Sequence, residues 1–292
     1  MRIVIPEIEE VFGKGATAFD SFKALQFLLI ILTRDFKDVY KPGLIKDIDG
    51  IEAYFILDIL KTLSTLELIC KKADYNSGNT LCRSLVDKMS IFKLVFANAN
   101  SDERKYRYYL YIIDGMRERK NLLNEKLEYD GKITKEEFKK LSMQYNSAYK
   151  NTIETIEFCE KELNKHPYSS LYPKFHKQVL EKGCWQYIEL GKIGKKGKIS
   201  FYKWEDLYEL LDKRGTIKKM FSKFLSQYVH GLSMSILPNQ DSFENLEGII
   251  SIGVCMQGVV IDEIMSRYAN KTKLKNNFTM QDLMRFKNIL KL

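Results

Sequence analysis

Residues 51–72 read Ile51-Glu-Ala-Tyr-Phe-Ile-Leu-Asp-Ile-Leu-Lys-Thr-Leu-Ser-Thr-Leu-Glu-Leu-Ile-Cys-Lys-Lys72, and this stretch decides the fold class. Phe55, Ile59, Leu63, Leu66 and Cys70 return every three or four positions, so they fall on one stripe of an α-helix. The same spacing runs through Ala16–Asp38, where Phe19, Phe22, Leu25, Leu29, Leu32 and Phe36 form the stripe and Lys41-Pro42-Gly43 stops it. Downstream, Tyr75-Asn-Ser-Gly-Asn79 reads as a turn and Thr80–Ala97 as a strongly apolar helix. Asp102–Arg119 is an aromatic and basic helix. Gly131 separates it from Thr134–Asn164, where Thr134-x-x-Glu137 has the form of a capping box.

The polar, charge-laced character of Thr134–Asn164 marks an exposed arm over 119–165, pairing with Arg119–Tyr129 as a helical hairpin. His166-Pro167 ends the arm, and Phe175–Lys182 is a short helix. Cys184–Lys203 breaks the helical pattern. Two aromatic runs flank Gly191-Lys-Ile-Gly-Lys-Lys-Gly-Lys198, which predicts a small β-hairpin-like excursion near 185–203. Helices resume at Glu205–Lys213, Thr216–Ser235, Phe243–Tyr268 and Met280–Lys291. Without repeats or a low-complexity linker, the expectation is an all-α, multi-helix bundle with a projecting arm, forming a single helical domain over 1–292.

The composition fits a globular chain. Of 292 residues, 45% are hydrophobic and 29% charged, which excludes a dominantly disordered state. The five cysteines, Cys70, Cys82, Cys159, Cys184 and Cys255, are scattered and include no Cys-x-x-Cys pair. Neither a disulfide framework nor a zinc ribbon is expected, and a reduced, cytoplasmic setting fits. The start turns acidic before an apolar core develops, so no signal peptide is expected. The apolar stretches Phe27–Leu32 and Ile249–Ile261 are short for a bilayer span, so no membrane partner is expected.

Charge is unevenly placed. The 47 basic and 38 acidic side chains give a net charge of +9, and the excess falls after residue 100. It concentrates in Lys192–Lys203 and Met265–Leu292. Such segments attract phosphate polymers by counterion release, although lysines on a solvated face look the same.

The Gly-Lys run at 191–198 lacks the spacing of a nucleotide-binding phosphate loop. Lys192, Lys195, Lys196 and Lys198 lie beside Trp185, Tyr187, Phe201, Tyr202 and Trp204. That mixture suits a single nucleic-acid strand held by charge and stacking, or a solvated turn anchored by its aromatics. Arg104 and Arg107, in Arg104-Lys-Tyr-Arg-Tyr-Tyr-Leu-Tyr111, form either a backbone-contacting face or the snorkelling margin of an amphipathic helix.

The histidines are His166, His176 and His230, with no His-Glu-x-x-His motif and no Gly-x-Ser-x-Gly elbow. No metal, cofactor or serine-hydrolase chemistry is expected. His230 lies in the apolar helix Phe221–Gly231 with Ser226 one turn before it. It could serve as a general acid/base or sit as a hydrogen-bonded core-margin residue. Arg83 and Asp87 are an i, i+4 pair in an apolar helix. An arginine there requires a partner, either Asp87 or a carboxylate of the preceding helix such as Asp58, unless it binds phosphate.

Three pieces in order, Arg83-Ser-Leu-Val-Asp87, Trp204-Glu-Asp-Leu and Ser226-Gln-Tyr-Val-His-Gly231, resemble a family of uncharacterised bacterial helical proteins. That family carries an Arg-Ser-Leu-x-Glu-like helix and a late Ser-x-x-Val-His-Gly helix, and is similar in layout to HEPN-type domains. Many of those are metal-independent ribonucleases of toxin–antitoxin and phage-defence systems, and they commonly dimerise. The resemblance covers roughly 51–107 and 175–235, with Asp87 in place of the usual glutamate. It implies RNA as substrate, a homodimer, an antitoxin or defence-system partner, and His230, Arg83, Asp87 and Ser226 as the catalytic set. One departure stands out: HEPN ribonucleases place an arginine four to six residues before the histidine, and none precedes His230 here. Arg83 would have to supply that charge from another helix. The competing expectation is a non-catalytic helical binding or assembly module, in which Arg83, Asp87 and His230 form a structural polar network.

Overall fold

The computed structural model describes residues 17–34, 36, 45–97, 100–124, 127–211, 225 and 246–268. The expected helices over Thr216–Ser235 and Met280–Lys291 lie outside the described residues, apart from Leu225. The fold is all-α, with no strand among the described residues. The chain forms two compact units, Met1–Lys93 with Glu205–Leu292, and Leu94–Trp204.

The first unit holds α1 (Ala18–Thr33), α2 (Ile48–Lys71), α3 (Tyr75–Ile91), all but the first residue of the one-turn helix α8 (Trp204–Leu207), a 3-10 turn (Tyr208–Leu210) and α9 (Glu247–Tyr268). Thr17 starts α1 with a reciprocal capping box to Asp20. The expected turn at Tyr75–Asn79 is instead the first turn of α3. Asp74 caps it by accepting from Ser77 N–H, and Ala73, at φ 56°, reverses the chain one residue earlier. The helix Thr80–Ala97 therefore begins earlier, and its end, Phe92–Phe96, is wound as a π-helical turn.

Phe22, Leu29, Ile56, Ile59, Leu63, Leu66, Leu85, Met89, Met256, Val260 and Ile264 make the core of this unit. Of these, Phe22, Leu29, Ile59, Leu63 and Leu66 lie on the stripes that the spacing defined, whereas Ile56 takes the buried place beside them and Phe55 is only half-buried. Gly253 lets α9 approach α1: a Cβ there would sit 2.3 Å from the Phe22 ring. Gln257, fully buried, donates to the Phe22 carbonyl at 3.1 Å and to Gln26 Oε1 at 3.0 Å, tying the same two helices. The segment Glu247–Arg267 of α9 is long and apolar enough to cross a bilayer, longer than the Ile249–Ile261 run suggested. Half of that helix's apolar window is buried inside the protein, where it packs on α1, α2 and α3.

The second unit holds α4 (Ser101–Leu122), α5 (Lys135–Lys165), α6 (Pro167–Leu171) and α7 (Pro173–Lys182), followed by an extended segment to Trp204. Asn100 caps α4, and Thr134 with Glu137 forms the capping box of α5 that the sequence shows. α4 and α5 pack along each other, and Tyr106, Tyr108, Tyr109, Leu110, Ile156, Cys159 and Leu163 are buried in this unit. Toward its N-terminus α5 buries nothing before Thr152, and Leu141 and Met143 stand exposed. There an open groove of about 400 Å³ is lined by Leu123, Leu127, Tyr145 and Tyr149.

The hairpin expected near 185–203 does not form. Only one antiparallel bridge, Tyr187 with Phe201, joins its two sides, through Ile188 N–H to the Ser200 carbonyl and Tyr202 N–H to the Gln186 carbonyl. On the outer edge, facing away from the ladder, the guanidinium of Arg107 takes the carbonyls of Trp185 and Tyr187, at 2.7 and 2.8 Å, and so anchors the segment without competing for its pairing. On the tip side, Gly191 and Gly197 adopt left-handed φ values of 74° and 69° and turn the chain out of the ladder.

Candidate functional site

The candidate site of the first unit is built on α3. Arg83 and Asp87 lie one helical turn apart, and the Arg83 Nε–H donates to Asp87 Oδ2 at 2.9 Å. The alternative partner, Asp58, is engaged elsewhere: Lys88 Nζ contacts it at 2.6 Å and also donates to the Thr62 hydroxyl at 2.9 Å. The other Asp87 oxygen, Oδ1, accepts from the Tyr208 hydroxyl at 2.7 Å. The guanidinium carbon of Arg83 stands 5.3 Å from the Tyr208 ring centroid, within cation–π range.

Tyr208 is the member that sequence reasoning missed. It follows directly on the Trp204-Glu-Asp-Leu run. Burial raises the Tyr208 phenol above its ordinary value, and the hydrogen bond to Asp87 raises it further. The phenol therefore stays protonated and remains a donor. Asp87 is held from two sides, and through Nε it fixes the plane of the guanidinium. The Arg83 side chain is 20% exposed and that of Asp87 29%, so the pair sits at the margin of the unit rather than in its centre. His230 and Ser226 lie outside the described residues.

The second unit holds the remaining candidates, and it separates them. Arg107 is 3% exposed. Besides the two carbonyls it donates to Glu103 at 2.8 Å, and its guanidinium lies 3.7 Å from the centroid of the Tyr187 ring. It is a structural rivet facing the interior. Arg104, three residues earlier, is half-buried. Lys192, Lys195, Lys196 and Lys198 are all exposed. Lys192 pairs with Glu189 at 2.6 Å.

His166 and His176 are buried in the same unit. The Tyr106 hydroxyl lies 2.9 Å from His176 Nδ1, and His176 Nε2 lies 2.9 Å from Asn164 Oδ1. His166 Nδ1 accepts from Tyr168 N–H and caps α6. Burial lowers both imidazoles below their ordinary value, with the Asp102 charge drawing His166 partly back up. Both are neutral packing residues at pH 7. Among the cysteines, burial pushes Cys70 up to about 11 and Cys159 up to about 12, so neither is a thiolate nucleophile. Among the described residues, no three His, Cys, Asp or Glu side chains converge as a metal-binding group.

Comparison of the chain with family models, with curated proteins and with solved structures finds no match.

Proposed function

We propose that this chain is a metal-independent ribonuclease of HEPN-like character, cytoplasmic, acting as a homodimer with RNA in bacterial defence or growth control. The observation that supports this reading is the Arg83–Asp87–Tyr208 arrangement. A phosphate-binding arginine has to be held in one orientation and still reach solvent. Asp87 and Tyr208 orient the guanidinium, and a fifth of the Arg83 side chain is exposed.

In this mechanism the ribose 2′-oxygen attacks the adjacent phosphorus and the bond to the 5′-oxygen breaks. His230 removes the 2′-proton, and a proton returns to the leaving 5′-oxygen. Arg83 stabilises the charge that builds on the phosphoryl oxygens. Asp87 and Tyr208 position Arg83, and Ser226 orients His230 or contacts phosphate. The products are a 2′,3′-cyclic phosphate and a 5′-hydroxyl. Control by an antitoxin or another defence-system partner belongs to the same proposal.

A second reading has its own support: both Asp87 oxygens are satisfied within the protein, and Tyr208 stacks on Arg83. In that reading the trio couples the 3-10 turn to α3 in a non-catalytic binding module. The two readings divide on Arg83→Lys, measured by RNA cleavage in excess EDTA and by urea unfolding. A lysine keeps a charge for Asp87 but loses the oriented fork. The ribonuclease reading expects cleavage to fall at least a hundredfold while stability changes little. A fall in stability, with no cleavage by any folded form, supports the module.

A further inference from the structure

We propose that segment 188–204 of the second unit is a binding surface for an unpaired nucleic-acid strand. Bases stack on Phe201 and Trp204, and phosphates lie along Lys195, Lys196 and Lys198. The proposal stands on the second unit alone and needs no cleavage at Arg83 or His230.

The first observation is that the segment is a fixed shelf. Gly191 sits so close to Tyr172 that a Cβ would fall 2.6 Å from its ring. Gln178 Nε2 donates to the Gly197 carbonyl at 2.9 Å, which ties the tip to α7. Gly194 N–H bonds the Lys198 carbonyl at 2.9 Å and closes the turn. Arg107 holds the base of the segment from within. A shelf already ordered loses little conformational entropy on binding.

The second observation is a pair of half-exposed rings. Phe201 is 49% and Trp204 47% exposed, although large aromatics are ordinarily buried. Trp204 is propped from below: Trp185, 2% exposed, meets it edge-on at 6.1 Å and donates its indole N–H to Asp114 at 2.9 Å. The third observation is charge. Lys195, Lys196 and Lys198 are exposed, and no carboxylate among the described residues pairs with them. Exposed rings beside unneutralised lysines match the two faces of a single strand, its bases and its phosphates. A duplex hides its base faces, and a bilayer offers no planar rings to stack on. Stacking on a base face and contact with phosphate do not depend on the 2′-hydroxyl, so oligo(dT) and an RNA strand are both expected to bind.

The test uses the full-length protein and a fluorescein-labelled oligo(dT) of twenty nucleotides, which lacks the 2′-hydroxyl that the cleavage reaction would need. Anisotropy is expected to report binding, with quenching of tryptophan fluorescence that is largely lost in Trp204→Phe. Trp204→Ala and Phe201→Ala each weaken binding about tenfold. Replacing Lys195, Lys196 and Lys198 with alanine flattens the slope of log affinity against log salt by about 2. Circular dichroism confirms that each variant is folded. No binding by the folded wild type overturns the proposal. So does binding that these variants leave unchanged, a preference for duplex, or binding only to vesicles of anionic lipid.

Discussion

Replacing Arg107 with methionine keeps the length and most of the volume of the side chain and removes only the guanidinium. Three acceptors then lose their donor: the Trp185 carbonyl, the Tyr187 carbonyl and the Glu103 carboxylate. Each buried carbonyl left without a partner costs about 1–3 kcal/mol. The Glu103 side chain is 19% exposed, so water compensates part of its loss. The sum is about 4 kcal/mol, within the range of roughly 3–5 kcal/mol for removing one member of a buried ion pair. The stacking on Tyr187 is lost as well, while methionine retains part of the apolar contact. Arg107→Lys should fall between, at about 2 kcal/mol, because an ammonium cannot reach both carbonyls and Glu103 in one plane. Urea unfolding followed by tryptophan fluorescence measures this, since Trp185 lies at the bonded carbonyl. A loss below about 1 kcal/mol for Arg107→Met would refute the assignment of Arg107 as the interior rivet of the second unit.

Four further outcomes follow from the structure. Gly253→Ala should destabilise the first unit by about 1–2 kcal/mol in urea, because the clash with Phe22 outweighs alanine's better helix propensity. Gly115→Ala meets nothing within 4 Å and should stabilise by about 0.5–1 kcal/mol. Tyr208→Phe removes the hydroxyl from Asp87 and should cost about 1 kcal/mol, with the remaining ring still against Arg83. Because burial lowers His166 and His176 in the folded state, the unfolded chain binds more protons below pH about 6.5. Stability is therefore full above that pH and lost on acidification, by at most about 1.4 kcal/mol per pH unit for each histidine. The double replacement His166→Asn with His176→Gln should flatten the dependence of the urea midpoint between pH 7.5 and 5.5.

The helices were legible because burial imposes a period: the apolar stripes of α1 and α2 are the faces that the first unit buries. The capping box at Thr134–Glu137 was legible because both its partners lie within one turn. What escaped has a tertiary origin. Tyr75–Asn79 carries turn residues, yet Asp74 caps it and Ala73 absorbs the reversal, so it winds as helix. The segment at 185–203 has the flanking aromatic runs of a hairpin, but Gly191 and Gly197 turn its tip out of the ladder, and Arg107, some eighty residues away in sequence, anchors its outer edge. The arginine's burial could not be read from its own helix, where Arg104 and Arg107 look equivalent. Arg83 and Asp87 were legible as a pair from their spacing. Tyr208, 121 residues after Asp87, could be found only once the fold had brought the 3-10 turn to α3.

The ribonuclease proposed above would cut RNA by its own side chains. The most direct test incubates the full-length protein, in excess EDTA, with end-labelled RNA and with the same sequence lacking 2′-hydroxyls. Wild type is compared with His230→Ala, and both are checked for folding by circular dichroism. The proposed activity predicts cleavage of RNA alone, 2′,3′-cyclic phosphate ends, and loss of cleavage in folded His230→Ala. Intact RNA with folded wild type, or equal cleavage by wild type and His230→Ala, would contradict it.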